Sequence, residues 1–315
     1  MSAPPAKWIH PALCLVILMW GGVFIATAKL LPSMDSLQMV TVRFIMISIA
    51  FLAMFAAVPR LRPRMTKRQL GILLVAGALA VPGAQLPVVQ GQVYLSPPLV
   101  AVFLTLSPAC AALISRVWLK ERFGRLQVAG FVVAFGGSLI VILTGTGAGG
   151  LTVDNPWGAA LVLVSPLCWA GYTVMSKPLA TLYPPMTAVG VGVIAGTAVM
   201  FPLYPHAWSA VDDVSASGWL WLLYLVFAGT IVTYWIWYKA LAQMPASKTA
   251  AYMYGVPLSA LLWSWVVLDT VPNGMALLGG AVVIVGVLMT QWSGSAAKDA
   301  SPSVDESSAS AQPSA

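Results

Sequence analysis

Charge is the scarcest feature of this chain. Only 8% of its 315 residues are Asp, Glu, Lys or Arg, and 59% are hydrophobic. Soluble domains carry about 25% charged residues. A mean hydropathy of +0.88 cannot be covered by a water-facing surface, so a second apolar solvent, lipid, is required. That excludes a soluble enzyme and a disordered regulator. Cysteine is almost absent: Cys14, Cys110 and Cys168 all lie in apolar runs, which excludes a disulfide scaffold or zinc framework. No GxxxxGK[ST] occurs, so there is no P-loop and no ATP-driven pump. The nine acids are Asp35, Glu121, Asp154, Asp212, Asp213, Asp269, Asp299, Asp305 and Glu306, each at a loop, a helix end or the tail. A proton relay or an organic-cation site wants a carboxylate inside the membrane, and none lies mid-span. No His/Cys/Asp/Glu cluster has metal-ligand spacing, and His10 and His206 sit at span ends, where solvated interface histidines are expected.

What the chain has instead is long apolar runs. A helix needs about 20 apolar residues to cross a hydrocarbon core of roughly 30 Å. Ten runs qualify, at about 11–30, 39–58, 69–89, 95–115, 125–144, 157–177, 186–205, 219–238, 248–268 and 274–292. The first is longer than a signal-peptide core and no small-residue cleavage site follows it, so it reads as a retained helix. Residues 293–315 are rich in Ser, Ala, Pro and acids, without aromatics; such a segment reads as a disordered tail. GTGAGG at 145–150 fits GxGxxG but follows a membrane helix instead of a strand, the wrong context for a dinucleotide.

Lys and Arg gather on the cytoplasmic side of membrane proteins. Of the 16 present, all but Lys29 and Arg43 fall in the N-terminus, the even-numbered connections or the C-terminal tail. Both termini are therefore expected in the cytoplasm, with the chain in the cell inner membrane. The net charge of +7 belongs to a membrane surface, not to a nucleic-acid footprint.

An internal repeat is visible at an offset of 149. Trp20 falls on Trp169, Gly22 on Gly171, Pro108 on Pro257, Gly130 on Gly279 and Gly137 on Gly286. Five spans per half is an odd number, so the second half enters from the opposite side. The charges agree: Arg116, Lys120, Arg122 and Arg125 become Trp265, Asp269, Val271 and Gly274. Inverted repeats mark secondary transporters. The expected architecture is all-α: a short N-terminus (1–10), a first five-helix repeat (11–144), an external linker (145–156), a second repeat (157–292) and the tail.

The residues also resemble a family. WGGVF at 20–24, WAGYT at 169–173, VRF at 42–44, LSPACAALISRVWLKERFGRLQVAGFVVAFGGSLIVI at 106–142 and TYWIWYKALAQMPASKTAAYMYGVP at 233–257 resemble the ten-helix EamA-domain members of the drug/metabolite transporter superfamily. The resemblance spans about 10–292 and implies a solute carrier, commonly an exporter of metabolites or amino acids. The family often carries a Glu after its fourth and ninth helices. Glu121 matches the first; Thr270, preceded by Asp269, replaces the second.

Several span residues are candidates for the solute site. Arg43 is the only base well inside a span, where an Arg costs about 2.5–3.5 kcal/mol on insertion scales. Either it faces a cavity and meets an anionic or zwitterionic solute, or it snorkels to the interface near Asp35. Trp20 and Trp169 are mid-span, where interface anchoring does not explain them; they line a cavity or pack the halves together. Tyr234 and Trp237, three apart, share a helix face, and Tyr234 is the repeat equivalent of Gln85. Tyr252 precedes the Pro257 kink. Substrate-binding roles are thus expected for Trp20, Arg43, Gln85, Trp169, Tyr234, Trp237 and Tyr252, with Pro108 and Pro257 shaping the cavity. The expected partners are a small organic solute and the bilayer, with no cofactor, no metal and no nucleic acid. The GxxxG at Gly192–Gly196 is expected to pack helices inside the protomer, and a monomer is favoured over a homodimer. A membrane enzyme would need a clustered catalytic set, which is not visible; a non-transporting receptor or assembly subunit would need no paired mid-span aromatics.

Overall fold

A computed structural model describes residues 6–91, 94–95, 97–145, 155–204, 206–269 and 271–292, with the side chains of 97–99, 145, 210 and 213 excepted. The tail, Thr270 and most of the linker with its GTGAGG lie outside the described residues. Ten helices are long and apolar enough to span a membrane: α1 (Ile9–Leu30), α2 (Ser36–Ala57), α3 (Lys67–Gly91), α4 (Val100–Trp118), α5 (Arg125–Thr144), α6 (Pro156–Ala180), α7 (Pro185–Leu203), α8 (Ala216–Gln243), α9 (Ala246–Leu268) and α10 (Gly274–Trp292). Their outer faces carry exposed apolar side chains such as Leu113, Leu220, Val266 and Trp292, a coat that water would not tolerate and lipid does.

The helix ends follow from local chemistry. Asp35 accepts from Gln38 N at 2.8 Å and Gln38 Oε1 accepts from Asp35 N at 2.9 Å, a capping box that starts α2. Thr66 starts α3 with the same reciprocal pair to Gln69, and Ser215 starts α8 by accepting from Gly218 N. Such caps are each worth about 1 kcal/mol.

The structure bears out the inverted repeat at the level of the backbone. Thr66 and Ser215, the caps of α3 and α8, are 149 apart. A π-turn interrupts α3 at Leu79–Gly83 and α8 at Phe227–Val232, again in register. Left-handed residues end α4 at Lys120 (φ 55°) and α9 at Asp269 (φ 53°), and no other described non-glycine residue has positive φ. Helix α4 breaks at Thr105–Leu106, and α9 has a 3-10 turn at Tyr252–Gly255. Pro108 and Pro257 each start the helical segment beyond the break, so these prolines begin helices and do not bend continuous ones.

The pseudo-twofold axis can be placed. Trp20 and Trp169 meet edge to face, ring centroids 5.5 Å apart, and Ser48 Oγ donates to Thr197 Oγ1 at 2.9 Å. Each pair is a residue touching its own equivalent, which is possible only near the axis. Helices α5 and α10 pack closely through crossed equivalents. A Cβ on Gly130 would lie 2.7 Å from Gly286 O, and one on Gly137 would lie 2.8 Å from Gly279 O, so only glycine permits this approach. The GxxxG of α7 is used within the chain: a Cβ on Gly196 would meet Gly77 O of α3 at 2.3 Å.

Candidate solute site

Most basic residues lie at one end of the bundle, in the α2–α3 and α4–α5 connections, at the C-terminal ends of α6 and α8 and at the N-terminal end of α9. This is called the basic end below. A cavity of about 1010 Å³ opens at the opposite end, at the upper limit of the roughly 300–1,000 Å³ usual for ligand pockets. Its rim is built from the helix ends on that side, including Thr27 of α1, Ser36 of α2, Val88 of α3, Val100 of α4, Ile142 of α5 and Ser264 of α9. Its floor, near mid-membrane, is aromatic. Trp20, Trp169 and Tyr234 line it together with Met253, whose sulfur accepts from Trp169 Nε1 at 2.9 Å. Tyr234 stands edge to face against Trp169 at 5.7 Å. The walls are mostly aliphatic.

Arg43 also lines the cavity and is only 8% exposed. Its Nε donates to Thr230 Oγ1 at 3.0 Å, and its Nη2 donates to Thr230 Oγ1 at 2.5 Å and to Gly229 O at 3.2 Å. The π-turn of α8 supplies both partners, the Thr230 hydroxyl and the Gly229 carbonyl. Among the described residues no carboxylate pairs with Arg43. Snorkelling towards Asp35 does not occur; Asp35 is occupied as the α2 cap. A cation in this setting has strong unused capacity for an anion, and the planar guanidinium suits a carboxylate.

The structure brings together five of the seven expected side chains: Trp20, Arg43, Gln85, Trp169 and Tyr234 all line the cavity, as does Pro257. Three expected residues lie elsewhere. Trp237 is fully buried, one turn deeper than Tyr234 on the same face, with its ring 5.1 Å from Trp20. The cavity ends above it. Tyr252 sits towards the basic end, where its hydroxyl is 2.6 Å from His10 Nδ1; His10 therefore has a partner inside the protein. Pro108 is buried in packing. Three contributors escaped sequence reasoning. Gly229 and Thr230 carry no signal in a span of small and apolar residues, and Met253 was passed over for its tyrosine neighbours.

Below the floor the basic end is shut by contacts between connections and helices of both halves. Glu121, after α4, receives Ala246 N at 2.7 Å, Ser247 N at 3.3 Å and Ser247 Oγ at 2.5 Å. Its carboxylate thus caps the N-terminus of α9 from the other repeat, where the helix dipole favours negative charge. Lys177 Nζ donates to Leu241 O at 2.8 Å and to Met244 O, satisfying carbonyls at the C-terminus of α8. The family's Glu at this position therefore has a structural partner, which the sequence alone left unassigned.

The model of the EamA-like transporter family matches residues 7–143 and again 156–292. This chain belongs to the EamA-like transporter family. It is 26% identical over 282 residues to an uncharacterized transporter of Archaeoglobus fulgidus, covering 89% of this chain and 97% of that one. It is 26% identical over 292 residues to a probable terminal-alkyne amino-acid exporter of Streptantibioticus cattleyicolor, covering 92% and 94%. It is 28% identical over 302 residues to a riboflavin transporter of Vibrio cholerae, covering 90% and 94%. A solved crystal structure shares the fold with a TM-score of 0.74 at 19% identity, over 90% of this chain and 96% of that one. The chain is thus a ten-helix, multi-pass secondary transporter of small organic solutes in the drug/metabolite superfamily, not an enzyme.

Proposed function

We propose that this EamA-family transporter exports small carboxylate-bearing solutes, apolar or aromatic amino acids foremost, by alternating access between two rocking repeats (11–144 and 157–292). One observation carries the reading: a buried guanidinium with no carboxylate partner among the described residues stands in the wall of a cavity floored by Trp20, Trp169 and Tyr234. The arginine would orient the carboxylate, and the rings would receive the side chain. The Streptantibioticus relative, a probable terminal-alkyne amino-acid exporter, supports the same class. The basic end is read as cytoplasmic, with both termini there in the inner membrane, on the strength of the Lys and Arg bias.

Flux of radiolabelled phenylalanine, leucine, lysine and riboflavin in proteoliposomes tests the solute. Phenylalanine and leucine should move and compete with one another. Riboflavin movement with no amino-acid flux would end the amino-acid reading. For orientation, Ser33→Cys and Ser215→Cys in a cysteine-free background should react with an impermeant thiol reagent added to intact cells, and Thr66→Cys should not. Strong labelling of Thr66→Cys from outside would invert the topology.

A further inference from the structure

The repeat equivalence links the open half of the pathway to the closed half. Val23, Phe24 and Thr27 of α1 and Val88 of α3 line the open cavity. Moved by 149, they become Tyr172, Thr173 and Ser176 of α6 and Trp237 of α8. All four of these are buried, at 4%, 0%, 0% and 0% exposure. Tyr172, Thr173 and Ser176 run along the face of α6 that continues from Trp169 towards the basic end, at helical spacing. They adjoin the cavity floor directly: the Tyr172 ring is 5.1 Å from Trp169 and 6.0 Å from Tyr234.

The two walls differ in chemistry. Where the open side presents two valines and a phenylalanine, the closed side presents two hydroxyls and an indole N–H. Three of these polar atoms, Tyr172 Oη, Thr173 Oγ1 and Trp237 Nε1, are buried without a hydrogen-bond partner among the described residues. Buried polar atoms are paired in the great majority of cases, so a cluster of orphans needs a reason. Packing alone would be served as well by phenylalanine, valine and another apolar ring. In a protein whose halves share one backbone plan, a state in which each repeat takes the other's shape closes the present cavity and opens its mirror image at the basic end. That state exposes these four residues.

We propose that Tyr172, Thr173, Ser176 and Trp237 form the wall of a second, hydrogen-bonding vestibule that opens at the basic end, and that its hydroxyl and indole donors receive the solute's carboxylate before it reaches Arg43. The carboxylate part rests on the amino-acid reading above; the existence of the vestibule does not. At three of the four equivalent positions on the opposite side Val23, Phe24 and Val88 offer no donor, while Thr27, like Ser176, keeps a hydroxyl. Loss of these donors therefore weakens binding from the basic end and not from the other.

Two measurements separate these claims. In a chain with Cys14, Cys110 and Cys168 replaced by serine, Thr173→Cys and Ser176→Cys are treated with an impermeant maleimide in inside-out vesicles and, separately, in intact cells. Thr66→Cys is the reference for the basic end and Val23→Cys for the open cavity. Thr173→Cys and Ser176→Cys should label fully, though more slowly than Thr66→Cys, in inside-out vesicles and not in cells. If both stay inert in the vesicles, where Thr66→Cys reacts, while Val23→Cys reacts in cells, the vestibule does not exist. Tyr172→Phe and Thr173→Val then test the donors with radiolabelled phenylalanine in oriented proteoliposomes. Each should raise the half-saturation concentration from the basic side about tenfold, the effect of one lost hydrogen bond, and leave the opposite side within about twofold. Equal changes on both sides would assign these hydroxyls to packing and overturn the donor role. Absence of any phenylalanine flux in the parent chain would sink the amino-acid reading and the carboxylate role with it, and leave the labelling result to decide the vestibule.

Discussion

The two ends of the bundle share a backbone plan and differ in their locks. At the basic end Glu121 caps α9 through Ala246 and Ser247, and Lys177 holds the carbonyls that end α8. At the other end the equivalent of Glu121 is Thr270, and the equivalents of Ala246 and Ser247 are Pro97 and Pro98. Proline has no N–H to give, so no carboxylate could cap α4 in the way Glu121 caps α9. Lys177 corresponds to Ala28, which likewise offers nothing to a carbonyl. Near-symmetric helices can thus carry an asymmetric gate, because the locks sit in connections and helix ends, where the repeats have diverged.

The comparison can be broken or sharpened by experiment. The largest effect is expected at the site shared by both states. Arg43→Ala should lower affinity for a carboxylate-bearing solute at least about a hundredfold, on the scale of truncating one partner of a buried charge contact. Arg43→Lys should lose about tenfold while expression persists, because lysine keeps the charge and loses the planar fork; binding isotherms on purified protein read both. Unchanged affinity in Arg43→Ala would leave Arg43 a purely structural ligand of the π-turn. Next is the lock itself. Glu121→Gln keeps the shape and loses the charge, so the basic end should open more often. Maleimide labelling of Thr173→Cys from that side should speed up about tenfold, corresponding to one charge-assisted hydrogen bond. No change in labelling rate would mean that Glu121 caps a helix without gating it. The smallest effect is expected from the proton gradient. No carboxylate lies mid-span, so collapsing the gradient in proteoliposomes should alter flux by less than about threefold; a larger drop would reveal a relay through an acid at a gate, with Glu121 the first to test.

Much of the fold was legible because membrane helices announce themselves by composition. All ten apolar runs became spans, with ends displaced by a few residues where caps such as Thr66 and Ser215 intervene. The repeat was legible through Trp, Gly and Pro, whose shapes are hard to replace. It was invisible at Lys120 and Asp269, which share a left-handed backbone and no side-chain chemistry, and at Ser48 and Thr197, which are too common to stand out. For the site, mid-span polarity singled out Trp20, Arg43, Gln85, Trp169 and Tyr234, which line one cavity. It placed Trp237 in the same cavity because helical phase alone puts it on the face of Tyr234. The residue lies one turn below the floor, and that depends on which end of the pathway is closed, not on phase.

Hydropathy, charge bias and the offset of 149 are properties of the chain read in one dimension. They determined that this protein lives in lipid, crosses it ten times and consists of two inverted halves. Which end stands open, what Arg43 holds and what Glu121 locks are contacts between residues far apart in sequence. Arg43 meets Thr230 across 187 positions, and Glu121 meets Ala246 across 125. No local pattern encodes such a pairing, because each partner's position depends on how the intervening helices pack. Only the assembled bundle brings a lone guanidinium to a π-turn and a loop carboxylate to a helix N-terminus.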